Sequence, residues 1–114
     1  MNLLIVEDHT DTRTVLSTLL SRCGLQIVTA KNIQDARARL EGMHFDVLIS
    51  DLNLPDGDGL ELARDAKKIQ RHLKAIALTG RESEEERALG MKAGFDCYLT
   101  KPVDYQELRR AIGV

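Results

Sequence analysis

The chain has 114 residues, 43% hydrophobic and 30% charged, with a formal net charge of −2. One domain of this length buries a core without disulfide or metal staples. The charge balance excludes a non-specific nucleic-acid binder, which needs a strongly basic face, and no apolar stretch approaches the roughly 20 residues of a membrane span. Cys23 and Cys97 lack metal-ligand spacing and read as reduced thiols. With no signal-peptide pattern at the N-terminus, the expected location is cytoplasmic, as a whole protein or part of a larger one.

Five short apolar runs are expected to form strands: Leu3–Val6, Leu25–Ala30, Asp46–Ser50, Leu73–Leu78 and Cys97–Thr100. Their continuity, rather than alternation, points to strands buried on both faces, as in a parallel sheet. Helix-period stripes separate them. The first is Val15, Leu16, Leu19, Leu20 and Cys23; the second Ile33, Ala36 and Leu40; the third Leu60, Ala63, Ala66 and Ile69. Helix starts are marked by Asn32 with Asp35, Ser83 with Glu86, and Asp104 with Glu107, at capping spacing. Gly24, Gly42 and Gly94 stand where helix C-caps are expected. The whole of 1–114 reads as one doubly wound α/β domain, (βα)5, with a five-stranded parallel sheet between helices.

In an open parallel sheet, ligands bind beyond the carboxyl ends of the strands, where strand order reverses. The first strand is followed there by Glu7 and Asp8, the third by Asp51, the fourth by Thr79 and the fifth by Lys101; the second ends at Lys31. Three carboxylates on one rim repel: a pair about 4 Å apart costs roughly 4 kcal/mol at an effective dielectric near 20. Lys101 answers part of that charge. A hard divalent cation answers the rest, and Mg²⁺ suits a site of few carboxylates because it keeps waters and shares phosphate oxygens; Mn²⁺ could substitute. Such a cluster suits phosphoryl chemistry, with Asp51 as nucleophile. Taken singly, each signal is bland. Glu7-Asp8 reads as a helix cap, and Pro55-Asp56-Gly57-Asp58-Gly59 as a turn. Their shared placement at one sheet end favours a site.

The motifs LLIVEDH (Leu3–His9), LISDLNLPDGDGLEL (Leu48–Leu62), AIALTG (Ala75–Gly80) and AGFDCYLTKPVD (Ala93–Asp104) are spread along essentially the whole chain. With them the sequence resembles the receiver domain of two-component response regulators. The resemblance implies the flavodoxin-like strand order 2-1-3-4-5 and a set of roles. Asp51 is the phosphoacceptor. Asp8 and Asp51 bind Mg²⁺ directly, Asn53 through its backbone carbonyl, and Glu7 through water. Thr79 and Lys101 hold the phosphoryl group, the Lys101–Pro102 bond is cis, and Tyr98 is the aromatic switch. Asn53 and Arg81 tune the phosphoryl lifetime.

The resemblance also implies partners. A phosphohistidine, on a histidine kinase or phosphotransfer domain in the same polypeptide or another, donates to Asp51. A downstream protein reads the face of the fourth helix, last strand and last helix. The isolated domain is not expected to be an enzyme on outside substrates. The competing readings are a metal-dependent phosphohydrolase with an aspartyl nucleophile, and a receiver-shaped interaction module that is never phosphorylated. The first wants a second Asp two residues on, where Asn53 stands; the second predicts loss of the acids, Thr79 or Lys101, and all are present. The stretch Asp8–Thr12, with the third-strand and Lys-Pro motifs, resembles hybrid-kinase receivers most. Gly90 carries two open readings: it loosens the fourth helix at a cost of about 1 kcal/mol relative to Ala, or it lets something pack closely. His9, His44 and His72 form no metal set, and His9 reads as an exposed loop residue near the site mouth. Lys67, Lys68 and Arg71 read as a solvated face, and Arg109 and Arg110 favour the dipole of the last helix. Cys23 and Cys97 read as structural.

Overall fold

The computed structural model describes residues 1–80 and 84–114. In chain order the elements are β1 (Asn2–Val6), α1 (Thr10–Ser21), β2 (Gln26–Ala30), α2 (Ile33–Gly42), β3 (Val47–Asp51), β4 (Asn53–Leu54), β5 (Gly57–Asp58), α3 (Gly59–Ile69), β6 (Lys74–Thr79), α4 (Glu84–Ala93), β7 (Cys97–Thr100) and α5 (Tyr105–Ile112). The main sheet runs β2-β1-β3-β6-β7 and is parallel throughout. Once the small β4–β5 hairpin is set aside, that is the expected 2-1-3-4-5 topology. The expected boundaries shift slightly. Leu25 and Leu73 are buried just before their strands, and Asp51 is the last residue of β3, paired with Leu78.

Both sheet faces are buried, which is why the strands read as unbroken apolar runs. Leu4, Val6, Leu48, Ala75 and Ala77 pack on one face against Ile33, Ala36 and Leu40 of α2 and Leu62, Ala63 and Ala66 of α3. Their strand neighbours Leu3, Ile5, Val47, Ile49, Ile76 and Leu78 pack on the other face, against Leu16 and Leu20 of α1 and Leu108 and Ile112 of α5. The period-2 alternation is real, but each phase meets a core. The third helix corrects its expected stripe. The buried face is Gly59, Leu62, Ala63 and Ala66, whereas Leu60 is half-buried and Ile69 is exposed. Steps of three residues alone drift about 60° per step around a helix, so Leu60 and Ile69 flank the stripe on opposite sides.

Helix ends follow their chemistry. Asn32 Oδ1 accepts from Asp35 N at 2.8 Å, and Asp104 Oδ1 from Gln106 N and Glu107 N at 2.8 and 3.1 Å. The Ser83–Glu86 pair lies outside the described residues. Gly24 and Gly94 take positive φ just past their helices, but Gly42 is the last helical residue and an extended Met43 closes α2. Gln70, which the sequence did not single out, ties α2 to α3. Its amide donates to Leu40 O and Met43 O at 2.9 and 2.8 Å and accepts from Phe45 N at 2.7 Å.

The turn acids have separate duties. Asp58 caps its own helix, accepting from Leu60 N at 2.9 Å. Asp56 reaches across to the start of α2, accepting from Ile33 N and Gln34 N at 2.8 and 3.0 Å. Those two amide donors hold the Asp56 carboxyl below the ordinary value of 3.8. A carboxyl depressed on folding adds stability above its unfolded pKa and loses it as pH falls through the folded one. Asp56→Ala is therefore expected to lower the melting temperature at pH 7, with the gap to wild type closing as pH falls below 3.8. A gap that stays constant from pH 7 to pH 2 refutes the capping role.

Candidate functional site

The strand order reverses at β1 and β3: α1 leads from β1 outward to β2, and α2 leads back across β1 to β3. At the carboxyl ends of those two strands lie Glu7, just past β1, and Asp51, the last residue of β3, buried at 0% and 6% exposure. Glu7 stays in register because its N–H donates to Ala30 O at 3.0 Å. Its carboxylate is pinned on both oxygens. Lys101 Nζ donates to Oε2 at 3.1 Å, while His9 N donates to Oε1 at 3.3 Å and His9 Nδ1 lies 3.0 Å from that oxygen. Asp51 Oδ2 accepts from Lys101 Nζ at 2.7 Å, and its Oδ1 from Asn53 N at 3.1 Å. One ammonium thus joins the ends of β1, β3 and β7.

Backbone geometry delivers these groups. Lys101 N donates to Thr79 O at 2.7 Å, which extends the β6–β7 ladder one step past Thr79↔Thr100 and aims the lysine at the pocket. The Lys101–Pro102 bond is cis. Gly59 backs onto the lip of β3: a Cβ there would lie 2.4 Å from Asp51 O, and Gly59 N donates to Leu52 O at 2.8 Å. No side chain fits between the first turn of α3 and the Asp51 backbone. Arg13, which the sequence reading passed over, directs its guanidinium to the carbonyls of Glu7 and Asp8 at 2.8 and 3.4 Å. An arginine one turn into a surface helix carries no pattern that distinguishes this use.

Electrostatics decide what the pocket can hold. Burial alone would draw the Lys101 ammonium down, but hydrogen bonds and charge from Asp51 and Glu7 outweigh it and raise it above 10.5. A raised lysine contributes its stability fully below 10.5 and loses it only as pH climbs through the higher folded value, so Lys101 is charged throughout the neutral range. Asp8 adds a third carboxylate, 36% exposed, with His9 Nδ1 3.5 Å away. Three carboxylates against one ammonium leave two negative charges, and the donor set is all oxygen apart from His9. These residues fit a hard divalent cation. Among the described residues, Glu7, Asp8 and His9 are the ones whose ligand atoms all lie within 4.8 Å of one another. Asp51 is drawn instead toward Lys101 and the Asn53 amide. Thr79 is buried at 3% exposure, Asn53 is exposed, and Lys31 is exposed at the end of β2 and apart from this cluster. Arg81 lies outside the described residues.

Comparison with known proteins shows the family. Residues 3–113 match the family described as the response regulator receiver domain. The chain belongs to that family. It is 39% identical, over 98% of its length and 87% of the other's, to an uncharacterized 14.6 kDa protein in the sodA1 3′ region of Leptolyngbya boryana. It is 35% identical over 99% of its length to the KDP operon transcriptional regulatory protein KdpE of Escherichia coli, of which it spans 50%. A CheY-like receiver domain from Methanospirillum hungatei superposes with a TM-score of 0.93 at 31% identity, covering 98% of this chain and 90% of that one.

In this receiver domain Tyr98 lies inward, 5% exposed, on β7 in register with Ala77. Its ring meets Phe95 edge-on, with centroids 6.0 Å apart and planes at 81°. The roof over it is Gly90 of α4, where a Cβ would stand 2.2 Å from both Cε2 and Oη of Tyr98. The close-packing reading of Gly90 therefore holds. His9 is 73% exposed in its side chain, as expected, yet its ring folds back on the acids. Cys23 is partly buried, with Sγ 3.1 Å from Tyr105 Oη across α1 and α5. Lys67 is not purely a solvated residue: its Nζ reaches Asp96 at 2.6 Å.

Two outcomes follow from this packing and charge. Gly90→Ala gains helix propensity of about 1 kcal/mol but overpacks the ring, at roughly 1–3 kcal/mol. The protein is expected to fold with Tyr98 turned outward, visible as changed ring chemical shifts; an inward ring in the variant refutes the roof. Asp8→Asn removes a charge from an overloaded pocket. Without divalent cation, it is expected to raise stability by on the order of 1 kcal/mol after screening. A fall in melting temperature would show that the pocket carries no net repulsion.

Proposed function

We propose that this receiver domain accepts a phosphoryl group from a phosphohistidine onto Asp51 and reports the transfer through its α4–β7–α5 face. The observation that carries the reading is the buried Asp51 carboxylate held by Lys101 Nζ at 2.7 Å at the switch point of the sheet. Its Oδ2 or Oδ1 attacks phosphorus, the P–N bond breaks, and the leaving imidazole keeps the electron pair and takes a proton. Lys101 meets the negative charge that gathers on the transferred oxygens, and Thr79, at the adjacent strand end, donates its hydroxyl to one of them. Asp8 and Asp51, with the Asn53 carbonyl and Glu7 through water, would hold Mg²⁺, which supplies charge neutralisation when bound. The carboxylate and the ammonium are pre-positioned by backbone hydrogen bonds from Asn53 and to Thr79, so little reorganisation is needed.

The acyl phosphate adds a strong acceptor dianion beside Thr79. A shift of Thr79 toward it changes the space that Tyr98 occupies beneath Gly90, and with it the surface made by α4, β7 and α5. The donor stands on a separate kinase or phosphotransfer protein, or on the same polypeptide as in hybrid kinases. Among the described residues no helix is long and apolar enough to cross a membrane, and a cytoplasmic site of action follows from the proposed donor.

Incubation with a small acyl phosphate and Mg²⁺ tests the reading. Mass spectrometry is expected to show a gain of one phosphoryl group in wild type, none in Asp51→Asn, and transfer slowed by roughly 100-fold or more in Lys101→Ala. Unchanged modification in Asp51→Asn sinks the assignment. Steady turnover of phosphoesters would favour a hydrolase instead.

A further inference from the structure

The β4–β5 hairpin follows Asp51 directly, carries Asn53, and pairs with no strand of the main sheet. Its strands have two residues each, too short to hold a shape alone, so outside ties set its placement. At its base, Asn53 N donates to Asp51 Oδ1 at 3.1 Å, and Asn53 pairs with Asp58, whose carboxylate caps α3. Leu54 is buried in the core beside it. The tip is pressed onto the start of α2. There both oxygens of Asp56 accept backbone amides, Oδ1 from Ile33 N at 2.8 Å and Oδ2 from Gln34 N at 3.0 Å. A Cβ at Gly57, where φ is 153°, would stand 3.0 Å from Ile33 Cδ1. The helix's own cap, Asn32, takes Asp35 N and leaves the Ile33 and Gln34 amides to the hairpin.

We propose that Asp56 is a positioning residue for the cation site: by tying the hairpin tip to the first turn of α2, it fixes Asn53 and, through the Asn53 amide, the Asp51 carboxylate. The role rests on the reading of the acidic pocket as a cation site with Asn53 among its ligands. A backbone carbonyl on a loop serves a cation well only when the loop is already held, because ordering it at the moment of binding costs affinity. Asp56 supplies that order from outside the pocket. Its carboxylate suits the positive end of α2, and two charge-assisted amide bonds fix its direction. Released from α2, the hairpin is free to turn about Leu54 and Asp58, and Asn53 moves with it. The sheet and the Asp51–Lys101 pair stay in place, since neither is held by Asp56.

The test is Mg²⁺ titration followed by NMR, at a temperature where every variant is folded. In Asp56→Ala the dissociation constant for Mg²⁺ is expected to rise roughly tenfold, and the Asn53 amide to exchange faster with solvent in the metal-free protein. Asp56→Asn keeps one acceptor oxygen and is expected to recover the affinity to within about threefold of wild type. Asn32→Ala removes a cap from the same helix without touching the hairpin. It is expected to lower stability yet leave Mg²⁺ affinity within about twofold of wild type. Equal Mg²⁺ affinity in wild type and Asp56→Ala, or an equal loss in Asn32→Ala, overturns the positioning role alone. Wild-type protein whose Asp8 and Asn53 signals do not respond to Mg²⁺ overturns the cation reading, and the role with it.

Discussion

The ammonium of Lys101 is the tie on which the rest of the site depends. It lies 2.7 Å from Asp51 and 3.1 Å from Glu7, and it arrives from the far strand of the sheet's active half. A buried pair of this kind is weak evidence of added stability, because removing charges from water offsets most of the attraction. Its effect is on register. With Glu7 held by its amide to β2 and Lys101 held by its amide to β6, only one relative placement of β1, β3 and β7 lets one nitrogen serve both carboxylates. The same placement leaves Asp8 unanswered, which is a local imbalance that favours an outside cation.

Acids on this loop system look alike in sequence and act differently in space. Asp51 and Glu7 end strands and point to the rim. Asp56 and Asp58 follow within a few residues, but their oxygens close helix starts, at 2.8 and 3.0 Å for Asp56 and 2.9 Å for Asp58. The glycines between them are equally divided in purpose. Gly57 has φ 153° and serves the hairpin, whereas Gly59 is forced by the 2.4 Å approach to Asp51 O. The turn reading and the site reading of this stretch are therefore both correct, for different residues.

Much of the architecture was legible because its signals are local. Apolar runs announced the five main strands, and a capping side chain announced two helix starts, at Asn32 and Asp104, with partners at the predicted amides. The rim residues followed from one topological rule applied to strand ends. What escaped was tertiary. The bridging of α2 to α3 by Gln70, the reach of Asp56 to another helix and the clamp of Arg13 on two carbonyls span unrelated positions, and nothing in their own neighbourhoods distinguishes them. The third helix was misread by a different route: small residues at three-residue steps mimic a stripe, and Leu62 marks the true one only when four-residue steps are counted as well.

The Tyr98 ring shows how a rim event can reach a surface about which the site itself says nothing. Thr79 and Thr100 pair across β6 and β7, and Tyr98 is two residues before Thr100 on the same strand, facing the core beneath α4. A close-packed interior deforms in steps, since a ring fills a space or leaves it. Gly90 sets one of those states by allowing an aromatic ring where any side chain would collide. The proposed phosphoryl group would act at the other end, through Thr79. The free-energy difference between the two ring positions, rather than the strength of any single contact, then sets how far modification shifts the population, because a ligand moves an equilibrium only by its differential affinity for the two states. In the proposed mechanism a single glycine on α4 is thus as much a part of the switch as the residues that would touch the phosphoryl group.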